Sequence, residues 1–226
     1  SMPRPYRYLN LITVAFITVL LCANVIGAGK VADIGGVPLT VAVLIFPASY
    51  LFGDILTEVY GYAHARRVMW MGFGAMLIAL LVSTVTVCTP PADGWTNQAA
   101  YETVFGQVPR IALASVVAFW CGGFVNAYVL AKMKVMTEGR ALYLRTIAST
   151  IAGEAIDTVL FFLVAFLGVW NTDLLWQVMA SEYVVKVGWE VAATPLTYVV
   201  VRRLKRAEHE DHFDRDTEFT PFRLRT

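Results

Sequence analysis

The chain has 226 residues, 58% of them hydrophobic, and a formal net charge of +1; its mean hydropathy is +0.60. Soluble domains are about 45–50% apolar, so this composition excludes an ordinary soluble domain and indicates one integral membrane domain. The near-zero net charge says little by itself; where the charges fall says more.

Six stretches approach or exceed the roughly 20 apolar residues that a spanning helix needs. They cover residues 8–28, 37–57, 68–88, 109–133, 145–170 and 177–201. Ser1 ahead of Met2 reads as a cleaved-tag scar. No cleavable signal peptide is expected, because the first apolar run continues to about Gly27, long enough to span and stay. In the first span, Asn24 carries two donors and an acceptor, as a base-like ligand would need, and it serves equally as interhelical glue. The second span holds Pro47 and ends in Asp54 and Glu58. Those acids lie four residues apart on one helix face, at a C-terminus that disfavours negative charge. Arg66, Arg67, Lys132 and Lys134 are available as partners, and a gate latch is the functional reading.

Residues 89–108 form the one long connection, with a short surface helix expected near 97–105. The fourth span carries Asn126, read chiefly as glue between helices. Glu154 and Asp157 follow on the fifth span. Three residues turn a helix by about 300° and raise it about 4.5 Å, so both carboxylates share a face near mid-depth. On the sixth span Glu182, Lys186 and Glu190 are spaced by four and form a second stripe, interrupted below by Pro195. Charges at bilayer depth cost at least a few kcal/mol, so such residues usually mark a solute or ion path. The competing reading is a self-neutralising structural set.

The tryptophans fall mostly near span ends, as an interfacial belt would, except Trp189. Gly72, Gly74, Gly122, Gly123 and Gly153 read as close helix contacts. Cys22, Cys88 and Cys121 have no CxxC spacing or neighbouring His and read as small core residues. His64, His209 and His212 are expected outside the spans, and no HExxH, Walker A or GxSxG motif occurs. Metal chemistry, ATP hydrolysis and any bound cofactor are therefore not expected.

Residues 1–206 are read as a six-helix transmembrane domain and 207–226 as a C-terminal tail, partly disordered or packed along one face. An even number of spans puts both termini on one side. That side holds Arg4, Arg7, Arg66, Arg67, Lys132, Lys134, Arg140, Arg145, Arg202, Arg203, Lys205 and Arg206, against Lys30 and Arg110 on the other. The positive-inside bias assigns both termini to the cytoplasm.

Several segments, taken in order, carry a family resemblance. They are Ala23-Asn24-Val25 through Lys30, Phe46-Pro47 to Asp54-Ile55-Leu56-Thr57-Glu58-Val59-Tyr60-Gly61, and Gly153-Glu154-Ala155-Ile156-Asp157-Thr158. Lys186, Trp189-Glu190 and Pro195-Leu196-Thr197-Tyr198 follow, then His212-Phe213-Asp214 to Thr220-Pro221-Phe222. Together they resemble the vitamin uptake transporter family in its queuosine-precursor branch. The resemblance implies an all-α membrane protein similar to the substrate-binding subunits of energy-coupling-factor importers. It implies import of the 7-deazaguanine bases preQ0 and preQ1 across the bacterial inner membrane.

On that footing the substrate-binding residues are Glu154, Asp157, Lys186, Glu190, Asn24 and Trp189, with Asp54 and Glu58 as gate or coupling residues. A carboxylate accepts the adjacent N–H donors of the base, and Asn24 or Lys186 donates to its O6. Trp189, Phe161 or Phe162 would form an aromatic slot. Glu154, Asp157 and Glu190 outnumber Lys186, so a proton or a cation such as the preQ1 aminomethyl group has to balance them. The expected partners are the nucleobase, the lipid bilayer and a second copy in a homodimer, with no nucleic acid. The rival readings are a binding subunit that needs a separate ATPase and an intramembrane enzyme built on Glu154 and Asp157.

Overall fold

The computed structural model describes residues 6–27, 31–34, 37–106, 109–168 and 171–222. Ser1, Met2, Arg4, Ala28, Lys30, Val108, Trp170 and Thr226 lie outside the described residues. Helix α1 spans Leu9–Leu21 and runs into a π-helical segment, Cys22–Gly27. Two short antiparallel strands follow, β1 (Val31–Ile34) and β2 (Val37–Thr40), with Val31 opposite Thr40. The remaining elements are α2 (Val41–Ile45), α3 (Pro47–Tyr60), α4 (Tyr62–Cys88), α5 (Gln98–Phe105), α6 (Pro109–Met136), α7 (Leu142–Phe166) and α8 (Thr172–Glu208).

Among the described residues, six helical stretches are long and apolar enough to cross a membrane: Leu9–Ile26, Val41–Tyr60, Tyr62–Cys88, Leu113–Met136, Leu142–Ala165 and Met179–Glu208. The six-span all-α reading therefore holds, with three adjustments. Residues 37–40 are strand rather than helix, since Val37, Pro38 and Thr40 are poor helix formers. The second span is broken just before Pro47, which sits at the first turn of α3, where its missing N–H costs no hydrogen bond. The third span starts at Tyr62, so His64 and Arg66 lie on α4 and not in a preceding loop.

Helix α3 is the axis of the bundle, touching α1, α4, α6 and α8. From Ser49 to Tyr60 only Phe52 escapes full burial. By contrast Ile78, Leu81, Val82 and Val85 on α4 are exposed and make a lipid-facing surface. Helices α6 and α7 pack through two glycines. A Cβ on Gly153 would lie 2.7 Å from the Asn126 Cβ and 2.9 Å from the Gly122 carbonyl oxygen. A Cβ on Gly122 would lie 2.8 Å from the Asp157 Cβ and would run into the Tyr50 hydroxyl. Real Cβ atoms do not come so close, so both positions require glycine for this approach. Gly72 is tight against Phe16 and Leu20 at 3.1 Å, whereas Gly123 makes only ordinary contacts and Gly74 meets nothing within 4 Å.

Other expectations change. Trp70 and Trp120 meet edge-on at 5.2 Å, with Phe73 and Phe124 around them. Cys22 and Cys121 are half-buried and Cys88 is exposed, so none is a core residue. Helix α5 has no buried residue and lies on the surface, as the long connection suggested.

The tail is ordered against the bundle through residue 222. Asp214 accepts from the Tyr62 amide at 2.9 Å, and Arg66 donates to the carbonyls of Glu218 and Thr220. The Trp70 indole donates to the Pro221 carbonyl at 2.7 Å. Gly61, at φ 87°, leaves no room for a side chain beneath the His212 ring. These contacts pin the tail over the α3–α4 junction.

Candidate functional site

Two groups of buried charge lie in this frame, and they are built differently. The first is at the tail-bearing end and centres on Glu58. Arg145 grips its carboxylate with both terminal nitrogens, Nη2 at 3.1 Å from Oε1. Lys205 donates to the same Oε1 at 2.7 Å, and Lys134 lies 3.6 Å away. Lys134 also donates to the Glu58 carbonyl, to Asp211 and to the His212 carbonyl. Asp211 bridges Lys134 and Lys205 at 2.6 and 2.9 Å. So α3, α6, α7, α8 and the tail are tied together by one network in which every Glu58 oxygen has a partner. Of the basic residues available to Glu58 in sequence, Lys134 alone pairs with it. Arg66 is spent on the tail, and Arg145 and Lys205 do the rest.

The second group lies deeper and is assembled by the same four helices. Lys186 on α8 donates to Asp157 on α7 at 2.8 Å. It lies 3.7 Å from Glu154 and 3.8 Å from Glu182, near enough to attract but beyond hydrogen-bond reach. Glu154 is 0% exposed, and neither of its carboxylate oxygens has a hydrogen-bond donor. Glu190, one turn along α8, is equally buried, and both of its oxygens lack a donor too. Asp54 does not join Glu58. It sits a turn deeper and accepts from the Asn126 amide at 2.6 Å, while its second oxygen is unpaired.

Leaving a buried polar atom unpaired costs about 1–3 kcal/mol, more for a charged one. Such atoms are few in native proteins. On α3, α6, α7 and α8, Ser49, Tyr50, Asp54, Asn126, Thr150, Glu154, Thr158 and Glu190 each present at least one. The aromatic neighbour of this group is Phe46, whose ring lies 5.1 Å from the Lys186 ammonium. Phe46 packs in turn on Tyr50 and Phe119, at 6.1 and 5.5 Å.

Of the expected binding residues, Glu154, Asp157 and Lys186 are brought together, and Glu190 interacts electrostatically with Glu154 and Asp54. Asn24 is not tied to them. It lies in the π-helical segment and donates back to the Leu20 carbonyl at 2.9 Å. Among the described residues, no hydrogen bond or ring contact links Trp189 to the acids. Phe162 packs with Leu175 and Met179, and Phe161 stacks edge-on against it at 5.3 Å. Sequence reasoning missed Tyr50. Its signal was the four-residue stagger Phe46, Tyr50, Asp54, Glu58, which places it on the acid-bearing face of α3.

Comparison with known proteins bears on what this site carries. A family model described as "Putative vitamin uptake transporter" matches residues 40–200. A relative from Bacillus subtilis (strain 168), named "Probable queuosine precursor transporter", is 31% identical over 196 residues, 86% of this chain and 84% of the relative. The "Queuosine precursor transporter" of Escherichia coli (strain K12) is 31% identical over 121 residues, 54% of this chain and 52% of the relative. No solved structure matches. With its six spans and a match over most of its length, this chain belongs to the vitamin uptake transporter family.

Proposed function

We propose that the protein imports queuosine precursors, the 7-deazaguanine bases preQ0 and preQ1, across the bacterial inner membrane, and that it acts as a carrier rather than an enzyme. The observation that carries this reading is the Glu154 carboxylate, fully buried in mid-span with both oxygens free of donors. A deazaguanine presents an adjacent ring N–H and amino group, which one carboxylate accepts side by side. Lys186, held by Asp157, would donate to the carbonyl oxygen of the same base. The names of the two relatives support the same solute class. In this reading Glu154, Asp157 and Lys186 bind the base, and Glu58 with its cations fastens the tail-bearing end.

That end faces the cytoplasm in this reading, on the strength of the basic bias of its loops. A tag placed after Thr226 should stay silent to an impermeant reagent in intact cells and react once they are opened. Calorimetry of purified protein with preQ0 and preQ1 is the direct test of function. Saturable binding of either base, absent with adenine, is expected; binding of neither overturns the proposal.

A further inference from the structure

The Lys186 ammonium serves one half of the buried acids and leaves the other half without a cation. Its ion pairs reach Asp157, Glu154 and Glu182. Among the described residues, no cation pairs with Asp54 or Glu190. Tyr50 lies one turn before Asp54 on α3. It is 2% exposed, and its hydroxyl neither donates nor accepts a hydrogen bond. The hydroxyl interacts electrostatically with Asp157 first, then with Glu154, Glu190 and Asp54. Gly122 and Gly153 crowd its ring, with the Gly153 Cβ position only 3.0 Å from Cε1, so packing holds the phenol against the α6–α7 contact beside Asp157.

We propose that Tyr50, Asp54, Asn126 and Glu190 form a second subsite that takes a protonated primary amine carried on the base. The proposal rests on the reading that the bundle carries deazaguanines. The unpaired atoms on this side are nearly all acceptors: Asp54 Oδ2, Asn126 Oδ1 and both Glu190 oxygens, with the Tyr50 hydroxyl able to act either way. Asn126 is fixed in that sense because its amide already donates to Asp54. An ammonium brings three donors, one positive charge and no acceptor, which complements such a set. The Tyr50 and Phe46 rings, 6.1 Å apart, add aromatic surface that a cation favours. A nitrile offers a lone pair and no donor, so it would face carboxylates with nothing to give. The aminomethyl base preQ1 fits both subsites at once, whereas the cyano base preQ0 fits only the one at Glu154.

The test is calorimetry of wild type, Asp54→Asn, Glu190→Gln and Tyr50→Phe with each base. Hydrogen bonds to charged groups contribute enough that wild type should bind preQ1 at least about tenfold tighter than preQ0. Asp54→Asn and Glu190→Gln should remove most of that preference by weakening preQ1 alone. Tyr50→Phe keeps the ring and should weaken preQ1 about threefold or more, with preQ0 nearly unmoved. A purely structural role would move both bases together, so equal losses in folded variants overturn the subsite. Equal affinities of wild type for the two bases overturn it as well, while leaving the carrier reading intact. Binding of neither base removes both.

Discussion

Glu58 and Glu154 are carboxylates of the same bundle, each buried to 1% exposure or less, and their surroundings are opposites. Around Glu58 stand Arg145, Lys134 and Lys205, and each of its oxygens receives a donor. Around Glu154 stand Asp157, Glu182 and Glu190 with, among the described residues, the ammonium of Lys186, and neither of its oxygens receives one. A buried charge that is fully paired is finished as structure. A buried charge left unpaired, among others in the same state, is a standing cost that a ligand can relieve. The first cluster ties helices together, and the second, in the proposed reading, is where the base binds. The difference also reassigns Asp54, which shares a helix face with Glu58 but belongs by its contacts to the deeper group.

The comparison predicts that substitutions separate into losses of stability and losses of binding. The largest effect is expected at Arg145. Arg145→Met strips Glu58 of its two-nitrogen partner and leaves the carbonyls of Gly139 and Arg140 without their donor. Breaking a buried ion pair from one side costs roughly 3–5 kcal/mol. A marked fall in melting temperature in detergent is expected, with base affinity of the surviving folded fraction close to wild type. A stable Arg145→Met protein would break the comparison on its structural side. Lys186→Met comes next and should damage both properties, because it leaves Asp157 and Glu154 uncompensated, at roughly 3 kcal/mol. A variant that melts like wild type and still binds base would show that the deep acids need no cation.

Glu154→Gln should sharpen the contrast from the other side. The amide keeps the shape and removes the charge, so folding stability should hold or rise. Base affinity should fall by about 1–3 kcal/mol, because one acceptor becomes a donor facing the donors of the base. Unchanged affinity in a folded Glu154→Gln protein would remove this residue from the site. The same change at Glu58 is expected to behave inversely, losing stability and sparing affinity.

Much of the fold was legible in the chain because an apolar run long enough to cross a membrane is a local property. Glu154, Asp157 and Lys186 were legible for a related reason, since charge in such a run is conspicuous on its own. What escaped was set by distance in sequence. Arg145 reads as a flanking residue at a helix start, and only the fold brings it to Glu58, 87 positions away. Tyr50 reads as one more aromatic in an apolar helix until Gly122 and Gly153 are seen to close around it. Whether Asn24 and Trp189 touch the acids was not legible, because a polar or aromatic residue within a span says nothing about which way the helix turns it. The break before Pro47 was half legible: the proline was visible, while its use as a helix start rather than a kink depended on the strand ahead of it.

The smallest expected effect concerns the tail that closes over the Glu58 network. His212 Nε2 faces Asp214 at 3.6 Å, and Asp214 also accepts from the Tyr62 amide and from Thr217. The Asp214 carboxylate beside it raises the His212 imidazole above its usual range, with burial acting against it. Burial works against the Asp214 carboxylate, and the neighbouring His212 with the hydrogen bonds from Tyr62 and Thr217 outweighs it and holds the carboxyl below its usual range. The raised histidine contributes fully below about pH 6.5 and loses its contribution as pH rises through its folded value. The lowered aspartate contributes above about pH 4 and loses its contribution as pH falls through its folded value. Docking of the tail should therefore be firmest between those limits and loosen modestly toward pH 8. His212 is 38% exposed on its side chain, so solvent screening keeps the effect small. Hydrogen exchange of the Tyr62 amide, measured against pH in wild type and His212→Gln after correction for intrinsic rates, should show a pH-dependent protection that the variant lacks. Protection independent of pH in both proteins would mean that Lys134 and Lys205 hold the tail through Asp211 without help from the histidine.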